Sequence, residues 1–330
     1  MSKTTAKAYF GPDELEPQTG SPRPVTSMEK LLEMGKRETI VRSIYVQNPN
    51  HKRVFESLEM VLTLGEKGVF QTAVRNAAPS FSGKSAGGDE FGRIVVRRGT
   101  YPVDTLPVRR VELEQACTPR RFWMSILAMY GDGYSSWKDE DGLRYSAYDA
   151  FERYGTKLLI LDEIQHAGYR SKGSSAPTDV IKRFISDAQV GLGLFGNEDA
   201  RTLLESNDQL STRLIEPCDI MPLKASDSRS SRTLAKFLAR YDSQLVEKGL
   251  FASSTALADP RTIECMMSLS KGYFGRVVKL MQVAGRRAFL RGATSIEFCD
   301  LSHAATSWAV AQKLASHDPF RFGISKVDAS

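Results

Sequence analysis

The stretch of this chain best suited to chemistry on phosphate is Ser82-Gly83-Lys84-Ser85. A phosphate-binding loop needs backbone N–H groups converging at a helix N-terminus, a lysine for the outer phosphates and a hydroxyl for Mg²⁺. Gly83, Lys84 and Ser85 supply the end of that pattern, with Ser80, Phe81, Ser82 and Ala86 as its remaining backbone. The complete pattern asks for glycine at position 78, where Ala78 stands. Gly87, Gly88 and Gly92 are poor material for the helix that should follow. Much later comes Leu158-Leu159-Ile160-Leu161-Asp162-Glu163, an apolar strand ending in two carboxylates. At the C-terminal edge of a parallel sheet, Asp162 can join Ser85 around Mg²⁺ while Glu163 polarises an attacking water. Alone, the hexapeptide suits a buried strand ending in a solvated acidic turn equally well. Paired with Gly-Lys-Ser upstream, it points to ATP and Mg²⁺ as cofactors.

Such a site requires strands that deliver the two motifs to one edge. Val69–Val74, Val108–Leu113, Lys157–Leu161 and Val190–Phe195 read as short apolar strands, alternating with helical patterns at Met28–Met34, Lys52–Leu64 and the segment after Thr118-Pro119. Residues 132–143 read as a loop. This alternation predicts an α/β fold with a parallel sheet, set at five strands. Beyond Pro222 the strand signals stop, and Ser228–Val246, Pro260–Leu269, Gly275–Leu290 and Ile296–Leu314 all show helical spacing. The expected division is a flexible leader (1–27), an α/β nucleotide-binding part (28–222), a helical lid (223–315) and a tail (316–330).

Composition narrows the class. Hydrophobic residues are 41% of the chain and charged residues 25%, ordinary for a soluble globular protein. No apolar run approaches the roughly 20 residues that span a bilayer, and the first ten residues have no signal-peptide core. Cys117, Cys218, Cys265 and Cys299 are scattered, which fits reduced thiols in a cytoplasmic protein rather than a disulfide framework or zinc site. The net charge of +6 is compatible with a nucleic-acid partner, and its distribution says more. Lys271–Arg291 holds six basic residues and no acid, and Phe91–Arg121 holds seven arginines against three acids.

Further residues fall in the order in which an AAA+ ATPase would have them. Asn197 resembles the polar sensor of the γ-phosphate or water, and equally suits a cap for a helix starting at Glu198. Arg213 resembles the arginine finger offered to a neighbouring subunit, and Arg276, in Gly272-Tyr273-Phe274-Gly275-Arg276, the lid arginine that senses the γ-phosphate. Each arginine also suits a surface charge. The flanking text over roughly 38–312 resembles the TniB/TnsC group of transposon-encoded regulators. The resemblance rests on Glu38–Leu64, Val111-Glu112-Leu113 with Thr118-Pro119-Arg120-Arg121-Phe122, Asp162-Glu163-Ile164-Gln165-His166, Gly196-Asn197-Glu198-Asp199-Ala200 and the Gly272–Arg276 block. It implies an AAA+ P-loop NTPase with a helical lid, assembling in ATP as a ring or helical filament on duplex DNA. It also implies recruitment of a transposase, a separate target-selector protein, and release on hydrolysis.

Non-sequence-specific duplex binding asks for Lys, Arg, hydroxyls and helix N-termini along the phosphate path. Thr118, Arg120 and Arg121 at a helix start fit this, with a solvated basic turn or an ion pair to Glu112 or Glu114 as the competing reading. Arg170 and Lys172 after the acidic pair are a second candidate. Three functions follow: an ATP-gated regulator with slow, partner-stimulated hydrolysis; a mechanochemical ATPase such as a helicase loader or remodeller; or a scaffold with a degenerate P-loop.

Overall fold

Four short runs, Ala73–Ala77 (β1), Val108–Glu112 (β2), Leu158–Asp162 (β3) and Gly191–Gly196 (β4), pair in parallel in the order β1-β4-β3-β2. The computed structural model describes residues 27–69, 72–131, 138–168, 177–187, 190–206, 208–255 and 257–324. β3 and β4 are buried along their whole length, whereas the edge strand β2 is partly exposed. Asn76 lies opposite Phe195, Ile160 opposite Gly193, and Glu112 opposite Asp162, so all four carboxyl ends open on one edge.

The sheet among the described residues has four strands, not the expected five. Arg213–Cys218 runs beside β1 as an incomplete fifth. The Arg213 carbonyl accepts from Ala73 N at 3.0 Å and Ile215 N donates to Ala73 O at 2.9 Å. In a parallel ladder residue 217 would then donate to Arg75 O. Residue 217 is proline and has no N–H, so Cys218 donates instead at 2.9 Å and the register slips after a single bridge.

Helix α1 (Ser27–Arg42) precedes α2 (Pro49–Glu66). Asn48 caps α2 by accepting from His51 N, and Pro49 occupies a first-turn position where its missing N–H costs nothing. The end of α2 also explains why β1 starts later than Val69: that residue donates to Leu64 O at 2.9 Å and closes the helix. Helices α2 and α3 (Lys84–Arg97) cover one sheet face, burying Leu58, Val61, Phe91 and Val95 against Val74, Ile160 and Phe195. On the other face lie α4 (Pro119–Ala128), α5 (Glu140–Arg153), α6 (Pro177–Asp187), α7 (Glu198–Glu205) and α8 (Asp208–Ser211), packed on Leu159, Leu161, Leu192 and Leu194. The expected loop to Leu143 ends sooner, because Asp139 accepts from Gly142 N and starts α5 at Glu140; residues 132–137 lie outside the described set.

The described residues after 222 are helical: α9 (Ser228–Glu247), α10 (Pro260–Ser270), α11 (Phe274–Leu290), α12 (Phe298–Ala304) continuing into a π-helical turn at Ala305–Val310, and α13 (Pro319–Phe322). They share a separate core with Val41 of α1 and with Ile44 and Val46. All of the expected leader except Ser27 lies outside the described residues.

Candidate nucleotide site

β1 ends at Ala77, and the turn to α3 contains two left-handed residues, Phe81 (φ 60°) and Gly83 (φ 101°). A φ of that sign suits glycine at 83. Ala78, in contrast, is not among the positive-φ residues and donates its N–H to Gly196 O at 2.9 Å, so no glycine is required there. Helix α3 begins at Lys84 with no side-chain cap and no acidic residue in its first turn. Its leading N–H groups therefore present a partial positive charge to whatever lies beyond them. The glycines that look unfavourable for this helix are close-packing positions. A Cβ on Gly87 would lie 3.1 Å from the His51 ring, and one on Gly88 3.2 Å from Phe195.

Carboxylates from β3 meet this helix start. Asp162, 1% exposed, accepts from Ser85 Oγ at 2.5 Å and from Arg110 Nη1 at 3.1 Å, while its other oxygen accepts from Glu163 N at 2.9 Å. Arg110 also grips Asp89 through Nε at 2.7 Å. Glu163 adopts a left-handed backbone (φ 57°), which turns its side chain onto buried Lys84, Nζ to Oε1 at 3.1 Å. Burial works against the charge on Glu163, but Lys84 and the Gln165 amide outweigh it and hold the carboxyl below its usual range. Gln165 links Glu163 to Asn197: its amide donates to Glu163 Oε2, and its oxygen accepts from Asn197 N at 3.3 Å.

The opposite wall comes from the helical part. Gly275, at the start of α11, abuts the loop so closely that a Cβ there would lie 2.7 Å from Gly83 N and nearer still to Phe81 O. Trp308 meets the Phe81 ring edge-on, 5.6 Å between centroids. Between the walls is a cleft of about 420 Å³ with Lys84 and Ser85 at one end and Ile44, Val46, Phe274 and Val278 among its apolar lining. Ser82 Oγ, on the cleft wall, and Arg276 Nε, on the residue after the wall residue Gly275, are buried without a hydrogen-bond partner among the described residues. Arg276 is 9% exposed, stacks over Tyr273 at 5.0 Å, and has no carboxylate partner among the described residues; burial lowers its basicity. A buried, unpaired guanidinium is costly unless an anion joins it.

His51 is not singled out by the sequence and stands one residue before the helical pattern expected at Lys52–Leu64, whereas the helix starts at Pro49 and includes it. Its Nε2 lies 3.0 Å from Gly83 O and its Nδ1 2.9 Å from the Tyr45 hydroxyl, with the two rings stacked at 5.6 Å. Burial drives its pKa down to about 4, against the smaller opposing effects of Gly83 and Glu90. The ring is therefore neutral, donating to Gly83 and accepting from Tyr45. Arg110 was missed too, although an arginine inside an apolar strand is itself a signal of a partner carboxylate.

Other expected residues are distributed differently. Ser80 is exposed and not part of the cleft lining, whereas Ala86, exposed in the first turn of α3, does line the cleft. Asn197 Oδ1 caps α7, accepting from Asp199 N and Ala200 N at 3.0 and 3.2 Å. Arg213 stands beside the start of β1, the end of the sheet away from the cleft, and its Nη1 donates to Ser186 Oγ at 2.6 Å. Thr118 caps α4 through Arg121 N, Arg120 donates to the Lys138 carbonyl at 3.3 Å, and Arg121 is exposed. Arg170 and Lys172 lie outside the described residues. Of the Lys271–Arg291 cluster, Arg286 pairs with Glu38 at 3.0 Å and Arg291 with Asp300 at 2.8 Å, so part of that charge is neutralised within the chain.

Known proteins share this architecture. The Aeropyrum pernix ORC1 protein, solved in complex with DNA, superposes with a TM-score of 0.59 at 18% identity, over 82% of this chain and 69% of that one. The ADP form of the Aeropyrum pernix ORC2 protein gives 0.59 at 13% identity, over 82% and 72%. The Walker-type ATPase PABY2304 of Pyrococcus abyssi gives 0.51 at 14%, over 82% and 75%. The fold is thus the α/β fold of AAA+ P-loop ATPases. No curated protein matches the chain by sequence. A family model described as bacterial TniB protein matches residues 36–221.

Proposed function

This chain belongs to the TniB family, and from that premise we propose that it is an ATP-dependent, non-sequence-specific DNA-binding regulator. In this reading it oligomerises on target DNA, recruits and activates a transposase, and leaves on hydrolysis. The observation that carries the nucleotide half is the cleft itself. An uncapped helix start and buried Lys84 line a partly apolar pocket, and the unpaired Arg276 guanidinium follows Gly275 of its opposite wall. Fixed positive charge at one end and an apolar slot at the other suit the phosphates and base of ATP.

Ser85 and Asp162 offer the hard oxygen donors that Mg²⁺ takes when phosphates complete its shell. Bound there, Mg²⁺ would supply charge neutralisation at the phosphates. Arg110, already on Asp162, compensates its buried charge and orients it. Lys84 exchanges Glu163 for phosphate, which leaves Glu163 to accept a proton from water, steered by Gln165. Arg276 closes over the outer phosphates from α11, and Arg213 serves a neighbouring subunit. Thr118, Arg120 and Arg121 form a DNA-facing helix start, with Arg121 the freest of them.

Imaging the protein on duplex DNA in ATP, in ADP and without nucleotide, with phosphate release measured in parallel, tests this reading. ATP-dependent rings or filaments with slow release are expected. Assembly that ignores nucleotide would replace it with a scaffold carrying a silent P-loop, and vigorous turnover without stable assembly with a mechanochemical ATPase.

A further inference from the structure

Helix α9 turns Leu234, Phe237, Leu238, Tyr241 and Leu245 into the helical core. Its outer surface carries Arg229, Arg232, Lys236 and Arg240, all exposed. Their spacings of three, four and four residues place them on one stripe, about 16 Å long at 1.5 Å per residue. No carboxylate interrupts it. The acids of this helix are Asp242, buried and hydrogen-bonded to Ser254 and Thr255, and Glu247, which pairs with Arg240 at 2.6 Å. Among the described residues neither Arg229 nor Lys236 forms an ion pair or a side-chain hydrogen bond, although Arg229 feels the charge of Asp227 at the helix cap, and Arg232 reaches only the Ser228 carbonyl at 3.3 Å. The unburied positions between the cations are small or hydroxylated: Ser231, Thr233, Ala235 and Ala239.

A merely solvated helix face offers a direct contrast in the same molecule. Helix α1 sets Glu33 against Arg37 and Glu38 against Arg42, and α2 sets Lys52 against Glu56, each four residues apart. Such pairs stabilise a helix, whereas like charges at that spacing destabilise it. Among the described residues the first two of the three successive like-charge contacts on α9, Arg229 with Arg232 and Arg232 with Lys236, have no ion pair to offset them, whereas Arg240 has Glu247.

We propose that this stripe is a track for the phosphate backbone of duplex DNA, a contact surface separate from α4. Lysine and arginine heads interleaved with hydroxyls are the groups that contact phosphate without reading bases. The length of the stripe covers about five phosphate steps of one strand at 3.4 Å each. The inference rests on the DNA-binding reading above and can fail independently of it.

The test is fluorescence anisotropy of a short duplex of arbitrary sequence, titrated with protein in ATP across a range of salt. Wild type is compared with the triple variant Arg229→Gln, Arg232→Gln, Lys236→Gln, and with Arg229→Lys, Arg232→Lys, which keeps the charge. The thermal midpoint and ATP affinity of each variant serve as folding controls. Each released cation contributes about 0.9 to the log–log salt slope, so the triple variant should lose about 2.7 while the lysine variant keeps the wild-type slope. Wild-type binding with an unchanged slope in the triple variant overturns the stripe and leaves the DNA reading standing. A wild type that binds no duplex in ATP removes both.

Discussion

His51 shows how one side chain fixes the geometry of the phosphate loop. Its hydrogen bond to Gly83 O holds the left-handed turn, and its ring fills the space vacated by the missing side chains of Gly83 and Gly87. That burial has a measurable consequence in pH. The folded pKa of about 4 lies below the ordinary histidine value of 6.5, so between these values the unfolded chain binds a proton that the folded chain refuses. Stability therefore rises with pH across that window, by about 3 kcal/mol if the whole shift is expressed. Chemical denaturation of wild type and His51→Gln at a series of pH values isolates the effect, because glutamine can still donate to Gly83 O but does not titrate. The wild-type curve should steepen between pH 4 and 6.5 relative to the variant. Parallel curves would mean that His51 is protonated in the fold. Glu163 obeys the same sign at lower pH. Glu163 is held below its usual range by Lys84, so its contribution is present at neutral pH and fades as acid protonates it.

Among the elements, α11 is the one whose placement decides whether the cleft can close. Gly275 lets its first turn rest on the backbone of Phe81 and Gly83. Gly275→Ala forces α11 away from the loop, and overpacking of this kind typically costs about 1–3 kcal/mol. The expected result is weaker ATP binding, measured by calorimetry, with far less change in DNA binding without nucleotide. Equal ATP affinity would show that the contact with α11 does not shape the site. This closeness also marks where sequence reading stops. The apolar run ending in Asp162-Glu163 and the capped starts at Thr118 and Asn197 were legible because strand burial and capping are local. Gly87 and Gly88 looked like helix weakness because propensity along a chain carries no information about the His51 ring or Phe195. The fifth strand failed on a single N–H missing at Pro217, and the lysine–arginine cluster after Lys271 hid ion pairs to Glu38 and Asp300, distant or beyond its end in sequence.

For the whole molecule, the arrangement of cores implies how ATP would be converted into assembly. The sheet with its flanking helices and the C-terminal helices have separate hydrophobic cores, and the cleft lies where α11 and Trp308 touch the phosphate loop. A ligand with phosphate on Lys84 and its base against Phe274 and Val278 bridges the two, so binding stabilises their closed arrangement by mass action. Arg213, at the other end of the sheet, is positioned away from its own cleft. In the proposed reading, hydrolysis removes the bridge from within. Glu163→Gln separates these steps. It preserves side-chain size and the capacity to bond Gln165, but it removes the negative charge that competes with phosphate for Lys84. ATP should bind at least as tightly as in wild type, phosphate release should fall by orders of magnitude, and the oligomer should persist on DNA. The comparison is the dwell time of labelled protein on duplex DNA in ATP. If the variant departs as fast as wild type while its phosphate release is abolished, hydrolysis does not govern release, and the link from cleft to assembly must lie in ATP binding alone.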